Sequence, residues 1–186
     1  NYSNHPNSLY SERLNAIKWF SKHYPDQFDL YGHGWNKYLF KKPYLKILNR
    51  PKLDFIRRNI PYDIPTYRGI LERKRPILQR YKFSICYENH KGAFGYITEK
   101  IFDSLIASCI PIYWGAENIQ DHIPNNCFID KRHFDNYEVL YQFISTMDDD
   151  EYGTYQKNMR SFLRSAASNP FTVENYINVL LTEILS

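Results

Sequence analysis

The sequence predicts an α/β fold, a Rossmann-like three-layer domain around a parallel sheet. Two short apolar runs, residues 82–87 and 110–114, flank a stretch of helical periodicity at 98–108. That spacing suits a parallel crossover and is too long for a hairpin. Further short apolar runs at 28–31 and 127–130 alternate with helical stretches, the pattern of a sheet covered by helices. With 24% charged and 43% apolar residues over 186 positions, the chain can build one domain with a core, or one with a small appendage.

Residues 1–8 are polar and turn-like. Residues 9–24 read as a helix with Leu9, Leu14, Ile17 and Phe20 on one stripe, Ser8 or Ser11 as cap and Pro25 as stop. Arg13 stands one turn in. It either pairs with a carboxylate such as Glu12 or offers a guanidinium fork to phosphate oxygens. The run 28–31 reads as a strand ending in Gly32-His33-Gly34. His33 there is either a turn residue in the left-handed region or a ligand contact.

Residues 36–66 form a less regular, basic segment. Pro43, Pro51, Pro61 and Pro65 punctuate it, and 45–48 and 53–58 could each be a helical turn. Between Lys37 and Lys82, 14 Lys and Arg face only Asp54, Asp63 and Glu72, a balance of +11, against −7 for the remainder. Such a segment is a solvated connection or attracts phosphates, anionic lipids or nucleic acid. Residues 67–69 predict a tight turn opening a helix through Gln79, with Arg73, Lys74 and Arg75 on its solvated face.

After the strand at 82–87, the loop 88–96 holds Gly92 and Gly95, and Thr98 is a suitable cap for the helix 98–108, which has Ile101, Leu105 and Ile106 on one face. A loop in this position is where doubly wound sheets hold ligands. Lys100 lies in the first turn, where the helix dipole disfavours a cation by about 0.3–1 kcal/mol. Either Glu99 or Asp103 neutralises it, or an anion bound at this end pairs with it and with the free amides. The glycines permit close backbone approach. Residues 116–122 read as a short helix or turn, 127–130 as a strand, and 136–147 as a helix with Val139, Leu140, Phe143 and Ile144 on one face. The acidic run 148–151 reads as helix-capping charge, ahead of a helix over 152–167. After Asn169-Pro170, a last helix, 173–185, is expected to turn Ile177, Leu180, Leu181 and Ile184 inward.

Cys86, Cys109 and Cys127 lack zinc-site spacing, and their odd number argues against a disulfide framework, so they read as small buried residues of a reducing compartment. No run is long and apolar enough to span a membrane, and no signal peptide is visible. No G-x-G-x-x-G follows a strand, which argues against a dehydrogenase. No D-x-D lies just beyond a strand to hold a metal, so cations and a helix N-terminus are left to stabilise a phosphate leaving group.

The stretches YKFSICYEN, GYITEKIFDS and IPIYWG, all within residues 81–115, resemble the donor-binding signature of the α-1,3/1,4-fucosyltransferase family. DLYGHGW resembles another loop of that family more loosely. The resemblance implies the C-terminal, GDP-fucose-binding half of a two-domain GT-B glycosyltransferase. It implies an inverting transfer of fucose to a glycan acceptor, α-1,3 in type. The donor-binding residues it implies are Arg13 and Lys100 on the phosphates, Tyr96 beside them, Glu99 on ribose or sugar hydroxyls, and Asn89 on the fucose side. Glu88 is either a donor contact or a group that orients one. No cofactor is expected to be required, though a non-essential divalent cation stays open. The general base is expected in an N-terminal acceptor domain absent from residues 1–186, so these residues should bind donor without efficient transfer. GDP-fucose and a glycan acceptor are the expected partners, with no nucleic acid, and peripheral membrane association through the basic segment or a missing part stays open. A cytoplasmic location is preferred, or a peripheral membrane one in a bacterium, with the Golgi membrane expected in a eukaryote. Two other readings stay open: a different nucleotide-sugar transferase, or a non-enzymatic module that uses the basic segment.

Overall fold

The structure is a computed structural model, and it describes residues 7–35, 40, 42–53, 55–56 and 64–185. The chain divides into two compact units, Asn1–Arg13 with Arg73–Ser186, and Leu14–Glu72.

The larger unit is built on a parallel sheet of order β1-β2-β3, with β1 Phe83–Tyr87, β2 Ile110–Trp114 and β3 Ile129–Asp130. Phe83 pairs with Ile110 and Tyr87 with Trp114, and Tyr113 pairs with Asp130. The predicted crossover is present. Helix α3, Glu99–Ile106, links β1 to β2 and buries Ile101 and Leu105, while Cys86, Tyr87, Ile110, Ile112 and Tyr113 fill the core from the strands. Ser104 ties the helix to β1, accepting from Ser84 Oγ at 2.7 Å and lying 3.1 Å from Cys86 Sγ. The turn that ends α3 places Ser108 at φ 57°. Its N–H donates to Leu105 O and that of Cys109 to Ser104 O, the paired bonds that close a helix through a left-handed residue.

Helix α4, Tyr137–Thr146, is capped by Asn136, which accepts from Val139 N, and helix α5, Asp149–Leu163, by Asp148, which accepts from Glu151 N. The acidic run therefore starts a helix, as expected from its charge at a positive dipole end. All three cysteines are free and buried. Among the described residues no helix is long and apolar enough to cross a membrane.

Three expectations need correction. Helix α6, Val173–Leu185, forms as predicted, but Ile177, Leu180, Leu181 and Ile184 are exposed, Ile184 at 75%. Periodicity identifies a shared face; it does not supply a neighbour to cover it. The helix expected from about 67 to 79 shrinks to α2, Arg75–Leu78. Pro76 sits in its first turn, where its missing N–H costs no helical bond, and the backbone of residues 66–69 bonds instead to Leu30 and Gly32. The strand expected at 28–31 is a single parallel bridge, Leu30 to Tyr67.

That bridge organises the smaller unit. Leu30 N donates to Thr66 O, Arg68 N to Leu30 O and Gly32 N to Gly69 O. Arg68 Nε pairs with Asp29 at 2.6 Å, and Tyr67 Oη donates to Gly32 O. The left-handed positions of this turn are Gly32 and Gly34, with φ of 133° and 82°; His33 is not one of them. Helix α1, Tyr10–His23, buries Ala16, Ile17 and Phe20, with Phe20 stacked on Phe28.

Candidate functional site

β1 delivers Glu88 and Asn89 to the carboxyl edge of the sheet, where Glu88 N donates to Trp114 O and continues the β1–β2 ladder by one bond. The Glu88 side chain turns inward and is fully buried. Its Oε1 accepts from Thr98 N at 2.8 Å, and its Oε2 accepts from Thr98 Oγ1 at 2.7 Å and from Lys100 Nζ at 2.9 Å. Lys100 Nζ also donates to Thr98 Oγ1 at 3.0 Å. This resolves the conflict at the start of α3 differently from either carboxylate expected. Asp103 pairs instead with Lys74 at 2.8 Å, on the solvated face expected for that lysine, whose side chain stays 59% exposed. Glu99 is exposed. Lys100 is held by the carboxylate at the end of β1.

Thr98 is the N-cap residue, but its side chain makes no capping bond, because its hydroxyl is spent on Glu88. The first amides of α3 have no partner within the helix. They lie next to a lysine whose side chain keeps 25% of its surface in solvent. Such an end suits an oxyanion.

Arg13 reaches the same strand end from α1. Its Nη2 donates to Tyr87 O at 2.9 Å, Glu88 O at 3.2 Å and Asn89 Oδ1 at 3.1 Å. The guanidinium carbon lies 5.2 Å from the centre of the Tyr10 ring. Burial lowers the Arg13 pKa, countered in part by the oxygens of Tyr10, Glu88 and Tyr96; the group stays a cation. The segment before Arg13 is laced to the loop after β1. Leu9 N donates to Asn89 O, Lys91 N donates to Asn7 O, and Ser8 bridges His90 antiparallel.

The loop itself turns at Gly92 and Gly95, with φ of 74° and 68°. Asn118 anchors it by accepting from Gly95 N at 2.8 Å, and Tyr96 meets the His90 ring edge-on. Arg13, Glu88, Asn89, Tyr96, Glu99 and Lys100 thus lie on one strand end, its loop and the two helix ends beside it. Glu88 is the one whose carboxylate is wholly enclosed.

Sequence reasoning missed two supports. Gly115 follows β2, and a Cβ there would fall 2.5 Å from Glu88 Cγ and against the Tyr113 hydroxyl. Only glycine leaves room for the buried carboxylate. Lys131 follows β3 and is 7% exposed. Its Nζ donates to Phe134 O at 2.8 Å and faces the Trp114 and Tyr137 rings, and burial lowers its pKa. The signal was the aromatic residues around it, which are distant in sequence. A cavity of about 300 Å³ lies beside β3, lined by Phe128, Phe134, Phe143 and Tyr155 among others, and none of the six predicted residues borders it. Among the described residues no three His, Cys, Asp or Glu side chains gather as a metal site would require.

A family model described as "Glycosyltransferase family 10 (fucosyltransferase) C-term" matches residues 65–172. The chain belongs to this family. It is 35% identical over 74 residues to an α-(1,3)-fucosyltransferase of Helicobacter pylori, a match covering 40% of this chain and 15% of that protein. It is 36% identical over 73 residues to an α-(1,4)-fucosyltransferase of Arabidopsis thaliana, covering 39% and 18%. It is 35% identical over 97 residues to GDP-fucose protein O-fucosyltransferase 3 of Gallus gallus, covering 50% and 20%. The chain thus spans a fifth or less of the length of these relatives. A crystal structure of an α1,3-fucosyltransferase with GDP-fucose aligns at 21% identity and TM-score 0.44, covering 80% of this chain and 44% of that one. The α/β fold with a parallel sheet and the fucosyltransferase family were both legible in residues 81–115. Arg13 lies outside the matched residues, and its place in the site comes from the fold.

Proposed function

We propose that the chain binds GDP-fucose as the donor half of an inverting, GT-B-type fucosyltransferase. Arg13 and Lys100 would take the diphosphate, with Tyr96 beside it, Glu99 toward the ribose or sugar hydroxyls and Asn89 toward the fucose. The observation that supports this most is convergence. Arg13 and Lys100 come from two helices far apart in sequence, and both are tied to the consecutive residues Glu88 and Asn89.

Departure of GDP from the fucose carbon leaves negative charge on the β-phosphate. Preorganised donors around that charge stabilise the transition state. Here two cations and the unpaired amides of α3 would supply them, with no metal required. None of the six residues is assigned as the base that deprotonates the acceptor, and residues 1–186 alone are expected to bind donor without efficient transfer.

Calorimetric titration with GDP and GDP-fucose, against ADP and with EDTA present, tests this reading. Tight guanine-selective binding that survives the chelator supports it, and equal affinity for ADP rejects it. For the acceptor we propose a glycan, and for the linkage α-1,3, the linkage in the name of the Helicobacter pylori relative. A protein hydroxyl is the second reading, favoured by the Gallus gallus relative.

A further inference from the structure

The basic segment carries a surface that the donor site does not use and that lies outside the family match of 65–172. Pro43–Asn49 is a 3-10 helix, and three residues per turn place Tyr44 and Ile47 one above the other, with Arg50 next in line. Tyr44 is 70% exposed, Ile47 53% and Phe55 61%. Lys42, Arg50 and Lys52 of the same stretch are exposed, and residues 42–55 hold four Lys and Arg against the single acid Asp54. The presentation is built. The Asn49 side chain accepts from Phe40 N at 3.0 Å and donates to Phe40 O at 2.9 Å, closing the loop at its base. Lys42 Nζ lies 5.9 Å from the centre of the Tyr44 ring.

We propose that this loop docks on an anionic lipid surface. A bilayer with acidic headgroups accepts both halves of the patch at once. The cations meet the headgroup charge, and Tyr44, Ile47 and Phe55 enter the boundary between headgroups and acyl chains. Nucleic acid would satisfy the cations and could stack on the rings, but it offers nothing to Ile47. The inference is independent of the donor reading, since no residue of the patch belongs to that site.

Co-sedimentation of the chain with vesicles tests it. Vesicles of phosphatidylcholine with about 30% phosphatidylserine should retain the chain at least ~10-fold better than pure phosphatidylcholine at about 0.1 M salt, and release it at about 0.5 M. The triple variant Lys42→Glu/Arg50→Glu/Lys52→Glu should lose binding. Ile47→Asp alone should weaken it severalfold, and neither variant should alter thermal stability or GDP affinity. Equal retention on both vesicles, no retention on either, or undiminished binding by Ile47→Asp would overturn the proposal. So would competition by inorganic phosphate at millimolar concentration, or binding to single-stranded RNA without binding to vesicles.

Discussion

Replacing Lys100 by methionine separates what this lysine does for the fold from what it does for a ligand. The Glu88 carboxylate is 0% exposed and forms an ion pair with Lys100 at 2.9 Å. Removing one member of a buried pair costs about 3–5 kcal/mol, because the other is left charged and unpaired. Two facts reduce that figure here. The Lys100 side chain keeps 25% of its surface in water, and Thr98 still gives Glu88 two hydrogen bonds. A loss of about 2–3 kcal/mol is therefore expected, or roughly 4–12 °C in melting temperature for a chain of this size. Adding Glu88→Gln should restore most of it, since the amide removes the stranded charge and its oxygen can still accept from Thr98 N. GDP affinity should follow a different course, falling at least ~10-fold in Lys100→Met and staying low in the stable double variant. Urea denaturation and calorimetric titration of the wild type, Lys100→Met and the double variant supply both quantities. A single variant that loses less than about 0.5 kcal/mol, or a double variant no more stable than the single, would refute the buried-pair argument.

Other substitutions probe the same architecture. Gly115→Ala must push aside Glu88 or Tyr113 and should cost about 1–3 kcal/mol in urea melts, with weaker GDP binding as Lys100 loses its anchor. Ser108→Gly relieves a left-handed backbone position at a helix end and should raise stability by about 1 kcal/mol; the Gln156 bond to Ser108 O is a backbone contact and survives. Asn136→Ala removes the cap of α4 and should cost about 1 kcal/mol. Burial pushes the Cys109 thiol up to about 12 and Cys127 up to about 11 from 9.0. The native protein should therefore resist iodoacetamide at about pH 8.5 and yield all its thiols only on unfolding. The sign of the pH dependence follows from the same shifts. Unfolded thiols ionise near 9 while folded ones stay protonated, so stability is full below pH 9 and declines as pH rises toward 11–12. A flat stability profile from pH 8 to 11 would contradict it.

The crossover was legible because local pattern and tertiary role agree there. The apolar runs read at 82–87 and 110–114 and the Ile101–Leu105 face contain the residues that fill the core. The Leu30 bridge was over-read as a strand, because Phe28, Leu30 and Tyr31 suit an extended backbone but do not fix the length of its partner. α6 was over-read as buried because a stripe reports only which residues share a face. In the site, the residues were legible and one partnership was not. Lys100 was visibly misplaced for a helix start, but its neutralising carboxylate lies 12 residues back on the strand, beyond the three- and four-residue spacings that sequence reasoning inspects. Gly115 offered no sign, since its φ is ordinary and its necessity comes from Glu88 across the strand.

Arg13 grips three acceptors at the end of β1 from a position some 70 residues upstream, and residues 7–9 are stitched to 89–91 in the same way. The compact unit that holds the candidate site is therefore discontinuous, closed around the excursion 14–72. A fragment trimmed to 65–172 would keep the recognisable motif yet lose an edge of its own loop along with one of its two cations.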